Sequence, residues 1–342
     1  MADATTKMRQ EVQEIPSAVD RLLKRGDSAI RDASTALQNL DPTYLISVAR
    51  GSSDHACTYL KYVSELLLGC PVASVGPSVA SVYGASLKLD GAACLSVSQS
   101  GQSPDIVEMT RSARADGAMT FALTNNEDSR LAAIADHVLP IHAGPELSVA
   151  ATKTFINSAV AGLALLAHWK GDSDLIRAIK ALPEHLAKAA QLDWPEIRQA
   201  LTGGSVFTLG RGPVFAISNE AALKFKETCQ IHAESYSSAE VLHGPVSIVD
   251  RGFPVIAFAA ADAGEAPLAD IADQIAAKGA SVFATTSKVR NATLVEHVRT
   301  DHPLCDPLSL LVSFYAMVER VATERGIDPD APRHLKKVTE TI

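Results

Sequence analysis

Glu220, Lys224 and Glu227 follow one another at spacings of four and three, so a helix would carry all three on one face. The plain reading of such a row is a solvated ion-pair stripe. Its neighbours Ala221, Ala222, Leu223 and Phe225 are apolar, however, and a charged row on an apolar helix suits a cleft. The chemistry on offer is general acid–base transfer of a proton between adjacent carbons. One carboxylate takes a proton and returns it, while an ammonium stabilises the enolate-like oxygen between the two events. His243, in the run LHGP, is of a residue type suited to proton transfer near neutral pH, although a lone histidine more often serves as a structural group or helix cap. His232, Glu234 and Glu240 have no metal-ligand spacing and read as polar scaffold. Lys336 and Lys337, near the C-terminus, read by composition as a solvated basic pair.

A second cluster could hold an anion. Cys94–Gly101 reads CLSVSQSG, an apolar strand ending in hydroxyl, amide, hydroxyl and glycine, followed by Gln102, Ser103, Pro104 and Asp105 and then a helical pattern. Pro104 suits the first turn of a helix. The backbone N–H groups at such a strand-to-helix loop, with the helix dipole, favour an anion. Ser98, Ser100 and Ser103 add hydroxyl donors, and Gly101 lets the backbone come close. An ordinary serine-rich capping loop has the same composition. Its place at the carboxyl end of a strand favours ligand binding. Neither a GxGxxG nor a GxxxxGKS pattern is present, so nucleotides are the weaker candidates.

These groups need a frame. Short β-prone runs alternate with longer helical patterns, which predicts parallel sheets covered by helices. Strands are expected at Tyr44–Ala49, Val72–Val75, Ala92–Val97, Thr120–Leu123 and His137–Pro140, and then at Val206–Leu209, Val255–Phe258 and Ser281–Ala284. Helices are expected at His55–Leu68, Pro104–Ala115 and Ala151–Lys170, and at Asp174–Ala189 with an interruption at Pro183. Two proline-punctuated helices, Leu182–Ala190 and Trp194–Leu201, lead into a second half with helices at Asn219–Cys229, Leu268–Lys278 and Leu308–Glu324. The halves repeat: YLISVARGSSDHACTYLKYVSEL and SVFTLGRGPVFAISNEAALKFKETC share strand, Arg-Gly turn and helix, with Arg50 and Arg211 at an offset of 161 residues. At that offset Ser98, Gln99 and Ser100 fall on Ala259, Ala260 and Ala261, so the polar loop occurs once.

Bulk properties narrow the classes. Of 342 residues 47% are hydrophobic, enough for one large or two medium cores, and a net charge of −8 with mixed signs argues against nucleic acid as a partner. The five cysteines are scattered and without CxxC pairs, so neither a disulfide framework nor a zinc site is expected. The polar N-terminus does not read as a signal peptide, and the apolar stretch Ala159–Trp169 falls short of the ~20 residues that span a bilayer. A soluble protein in a reducing, cytoplasmic setting, without metal or cofactor, is expected.

VSQSGQSPDIV resembles the phosphate loop of SIS (sugar isomerase) proteins. ARGSS at Ala49–Ser53, ELSVAATKTF at Glu146–Phe155, LGRG at Leu209–Gly212, EAALKFKE at Glu220–Glu227, IHAESYSSAEVLHGP at Ile231–Pro245 and DAPRHLKKVT at Asp330–Thr339 extend the resemblance in order. The last three point to the branch holding the isomerase half of glucosamine-6-phosphate synthases and the stand-alone SIS-type deaminases. The resemblance implies two tandem SIS domains, each a flavodoxin-like parallel sheet with helices on both faces. The expected divisions are an N-terminal helical segment at 1–40, a first domain with the phosphate loop at 41–190, a second with the catalytic helix at 191–325 and a tail at 326–342. It implies Glu227 as the shuttle between carbons 1 and 2 with Lys224 beside it, and His243 as the ring-opening group, reaching in from the other subunit of a homodimer. Lys337 would be a tail amine able to form a Schiff base. Ser52, Ser53, Ser98, Gln99, Ser100, Ser103, Val149 and Ala151 would line the phosphate and sugar. Four positions depart from the synthase pattern: Arg50 replaces a small residue or Cys, Ala151 a Ser, Gln102 a Glu and Ser103 a Thr.

The chain shows no glutaminase segment before its isomerase-like part. The expected reaction therefore runs toward ammonia release, from glucosamine 6-phosphate to fructose 6-phosphate. The alternatives are an isomerase or deaminase for another sugar phosphate, the isomerase part of a glutamine-dependent aminotransferase, and a non-catalytic sugar-phosphate sensor.

Overall fold

The computed structural model describes residues 5–337. Helices α1 (Lys7–Arg25) and α2 (Asp27–Leu40) precede β1 (Leu45–Val48), α3 (Ser52–Leu68), β2 (Val72–Ser74), the single-turn α4 (Ser78–Ser81), β3 (Ala93–Val97), α5 (Pro104–Ala115), β4 (Met119–Thr124), β5 (His137–Pro140) and α6 (Lys153–Lys170). Then come α7 (Ser173–Ala189), α8 (Pro195–Ala200), β6 (Ser205–Gly210), α9 (Pro213–Cys229), β7 (His232–Ser237), β8 (Pro254–Ala257), α10 (Glu265–Ala276), β9 (Ser281–Ala284), β10 (Thr293–Leu294) and α11 (Asp306–Glu324). The described residues form two compact units. The first gathers 17–146, 153–180 and 335–337; the second gathers 5–16, 147–152 and 181–334.

In the first unit five parallel strands run in the order β2-β1-β3-β4-β5, with Leu45 opposite both Val72 and Ala93. β1 and β3 are buried along their whole length, as expected of parallel strands covered on both faces. Ile46, Val48 and Cys94 pack against Ile106, Val107, Met109 and Ala113 of α5. α2 and α3 both pack on α6, and α6 is buried almost all round, which makes it a core helix. A Cβ on Gly162 would lie 2.3 Å from Leu60 Cδ1, so glycine lets α6 approach α3. Because β1 lies between β2 and β3, the winding reverses there. The loops leaving the carboxyl ends of β1 and β3 flank the resulting crevice, the usual ligand position in this topology.

The second unit repeats the plan. Its strand order is β10-β9-β8-β6-β7, which read from its own first strand is the same winding. Phe207, Leu209, Val255, Ala257, Val282 and Ala284 pack against Leu268, Ala272 and Ile275 of α10. α9 and α11 pack on one another, with Phe225 and Phe314 edge to face at 5.2 Å.

The expected strands are all present, and the structure corrects two readings and adds one short strand. α7 runs unbroken through Pro183 and absorbs the separate helix expected from Leu182; the fully buried Leu182, Leu186 and Ala189 hold it in place of the one missing hydrogen bond. β7 is a strand where only polar scaffold was read. Its ladder with β6, from Ser205 with His232 to Gly210 with Ser237, accounts for a polar sequence at a sheet edge. β10 is a two-residue edge strand. Among the described residues no helix is long and apolar enough to cross a membrane.

Candidate active site

In the first unit, Ser98 N donates to Leu123 O (3.1 Å), which extends the sheet by one residue, and the Ser98 hydroxyl accepts from Gly101 N (3.2 Å). Gln99 O accepts from Asn125 N (3.0 Å), and Ser100 Oγ accepts from Gln102 N (3.3 Å). Gly101 has φ +62°, and a Cβ there would lie 2.1 Å from Ser129 Oγ, so both backbone conformation and space demand glycine. Ser103 is the N-cap of α5, yet its side chain makes no capping bond. The simple capping-loop reading expects that bond. Ser52 and Ser53 open α3, after Gly51 at φ 54° and ψ −133°. They leave β1 as the Ser98–Ser103 loop leaves β3, so both lie at the strand-order reversal.

The same unit holds Lys337. Its ammonium lies 2.8 Å from Oε2 of the buried Glu146, whose carboxylate also accepts from Thr154 N (3.0 Å) and Thr154 Oγ1 (2.7 Å). The tail amine is thus paired with a buried carboxylate. Thr339, at the end of the DAPRHLKKVT run, lies outside the described residues.

In the second unit, α9 carries the charged row. Lys224 is fully buried, with its ammonium 3.1 Å from Glu220 Oε1 and 2.5 Å from Glu227 Oε2. Glu220 is also fully buried and accepts from the Tyr315 hydroxyl of α11 at 3.0 Å. Burial by itself lowers the Lys224 pKa, but Glu220 and then Glu227 outweigh it, and the net shift is upward. Lys224 is therefore a fixed cation. Glu227 is the outermost of the three, with its side chain 23% exposed. The row is thus a buried charge relay ending in one accessible carboxylate, not a surface stripe.

His243 ends a 3₁₀ turn, Val241–His243, held by its N–H to Glu240 O (2.8 Å). Its side chain is exposed and makes no hydrogen bond or ion pair to the described residues. Val149 and Ala151 belong to the short segment Leu147–Thr152 of this unit. Val149 N reaches Asp330 O (3.4 Å), and the Glu11 carboxylate takes the N–H groups of Leu147 and Ser148.

Sequence reasoning singled out neither Tyr315 nor Glu146 as a site residue. Glu146 lay in a quoted segment, but Tyr315 stands in the apolar run LLVSFYAMV, which carries no signal of a polar task. The five cysteines are buried, and burial pushes the Cys94 and Cys229 thiols up to about 12, so none is set up as a nucleophile. Among the described residues no group of three His, Cys, Asp or Glu side chains is placed to hold a metal ion.

The model of the SIS domain matches residues 43–168 and again 202–301, one match per sheet. The chain belongs to the SIS domain family. Its SIS sheets are similar throughout to a crystal structure from Silicibacter pomeroyi, provisionally described as a phosphosugar isomerase. That protein is 65% identical, with TM-score 0.93 over 95% of this chain and 100% of that one. The C-terminal domain of glucosamine-fructose-6-phosphate aminotransferase from Francisella tularensis is 26% identical, with TM-score 0.85 over 96% and 99%. In sequence, the SIS chain is 33% identical to glutamine–fructose-6-phosphate aminotransferase (isomerizing) of Symbiobacterium thermophilum, across 96% of this chain but 58% of the relative. It therefore spans somewhat over half the length of the curated relatives it matches.

Proposed function

We propose that this SIS protein is a glucosamine-6-phosphate deaminase that yields fructose 6-phosphate and ammonia. The observation that carries the reading is the α9 row, in which a buried ammonium is clasped by two carboxylates and the outer one, Glu227, is accessible. The Ser98–Ser103 loop, with Ser52 and Ser53, takes the phosphate through hydroxyl and backbone donors. Val149 and Ala151 belong to the sugar's surroundings. His243 opens the ring by moving a proton between the ring oxygen and the anomeric hydroxyl.

Glu227 then removes the proton from carbon 2 of the open aldehyde, giving an enolamine whose developing oxygen charge Lys224 stabilises. The same carboxyl returns the proton to carbon 1, leaving a ketose imine at carbon 2. Water adds to that imine and ammonia leaves, so glucosamine 6-phosphate and water become fructose 6-phosphate and ammonia. Lys337 closes the tail over the open-chain sugar. The expected enzyme is a cytoplasmic homodimer in which His243 serves the neighbour's site.

The names of the curated relatives favour a second reading, in which the chain is the isomerase portion of a glutamine-dependent aminotransferase. One assay separates the two. The purified chain with glucosamine 6-phosphate should release ammonia and fructose 6-phosphate without glutamine, metal or nucleotide, and glucosamine without phosphate should be nearly inert. Interconversion of sugar phosphates with no ammonia would reject the deaminase. Mixed His243→Ala and Glu227→Gln subunits should regain activity through hybrid dimers; failure after proven subunit exchange would remove the shared site.

A further inference from the structure

Arg50 is one of the departures that the proposed reaction leaves unused. Its Nε and a terminal guanidinium nitrogen both lie 2.8 Å from Oδ2 of Asp105, whose Oδ1 accepts from Ile106 N at 2.9 Å. Asp105 is buried in the first turn of α5, directly after the Ser98–Ser103 loop. A carboxylate there occupies the positive end of the same helix that a phosphate would use, and its charge opposes a second anion. Arg50 stands in the turn between β1 and α3, on the other flank of the strand-order reversal. The pair therefore straps together the two loops that border the crevice and cancels the charge of the strap.

The second SIS repeat supplies a control within the chain. Arg211 holds the equivalent turn, and Gly212 has φ 61° and ψ −137°, close to the φ 54° and ψ −133° of Gly51. The position matching Asp105 is Ala266, and those matching the serines are Ala259–Ala261. The arginine is thus common to both turns. The second repeat also buries a carboxylate, Glu265, in the first turn of α10, but pairs it with Arg299 and Lys288 from outside the turn. The pairing of the turn arginine with that carboxylate occurs together with the polar loop in the first repeat.

We propose that Arg50 is a positioning residue that neutralises Asp105, so that the Ser98–Ser103 loop accepts a dianionic sugar phosphate. The proposal rests on reading that loop as the phosphate site. Without Arg50, the carboxylate remains buried beside the ligand and repels it; without either charge, the repulsion disappears.

The test is a double-variant cycle on the full chain, with fructose 6-phosphate binding measured by calorimetry. Arg50→Ala should weaken binding at least tenfold, and Arg50→Ala with Asp105→Asn should return to within about threefold of the unaltered protein. Arg50→Gln, which keeps a hydrogen-bonding side chain but no charge, should show the same loss and stands in if Arg50→Ala fails to fold. A merely structural strap would make the double variant no better than Arg50→Ala. That result, or unchanged binding by Arg50→Ala, overturns the proposal. Unchanged affinity in Ser98→Ala with Ser100→Ala would instead remove the phosphate loop on which it rests.

Discussion

The helices that follow the first strand of each sheet, α3 and α9, begin alike and end as opposites. Both start after an Arg-Gly turn with nearly identical glycine torsions. At the repeat offset, Glu220, Lys224 and Glu227 of α9 stand where α3 has Tyr59, Val63 and Leu66. The burial profile is kept while the chemistry changes. Tyr59 and Val63 are fully buried, as are Glu220 and Lys224, and the third position is the accessible one in both, Leu66 at 65% and the Glu227 side chain at 23%.

The loops after the third strands differ in the other sense. Ser98–Ser103 is polar with an uncommitted N-cap side chain, whereas Ala259–Ala261 is apolar. In the second unit, Arg299 donates to Ala259 O at 2.6 Å and to Glu265 Oε1 at 2.7 Å, and lies 3.4 Å from Asp306. One repeat therefore offers donors at its crevice, and the other satisfies its polar groups internally and places its charge at the far end of α9. One backbone plan hosts either arrangement because strand order fixes where loops emerge, while the side chains decide what they do.

Five measurements would break or sharpen this contrast. The largest effect belongs to Glu227→Gln, which should cut turnover by about 100- to 10,000-fold with little change in KM. Exchange of the carbon 2 hydrogen with heavy water, followed by NMR, checks it; exchange at the wild-type rate would leave α9 no more catalytic than α3. Lys224→Met should cost about 3–5 kcal/mol of folding stability, because Glu220 keeps its buried charge without the ammonium. Urea denaturation would read this, and a loss below about 1 kcal/mol would mean that the row is not a buried ion network.

Replacing Ser98 and Ser100 together by Ala should weaken sugar-phosphate binding at least tenfold, since each charge-assisted hydrogen bond contributes about 1.5–3 kcal/mol. The reciprocal Ala259→Ser with Ala261→Ser should create no phosphate affinity in calorimetry; a new site there would show that the loop sequence alone makes the difference. Tyr315→Phe should be mildest, at about 0.5–1.5 kcal/mol by thermal or urea unfolding, through loss of the hydroxyl on Glu220. No measurable change would show that Glu220 is held without α11.

Much of this frame was legible because its signals are local. Apolar runs such as LISV and ACLSV mark buried parallel strands, and the offset between Arg50 and Arg211 exposes the duplication. Residues at spacings of four and three share a helix face, so the Glu220, Lys224 and Glu227 row could be read before any packing was known. β7 escaped because HAESYS lacks an apolar run and owes its strand conformation to pairing with β6. Pro183 misled because helix-breaking is a local tendency that buried apolar neighbours override.

By itself, then, the sequence determined the α/β class, the repeat, the loop that ends β3 and the face that carries Glu227. Tertiary structure alone decided the partners: Asp105 for Arg50 across 55 residues, Tyr315 for Glu220 across 95, and Glu146 for Lys337 across 191. It also decided that Lys224 is buried, which turns a row of charges into a fixed cation with one open carboxylate. The physical reason is the range over which each signal acts. Periodicity and turn chemistry are written in adjacent residues, whereas a buried charge takes whichever partner the strand order and helix packing bring to it.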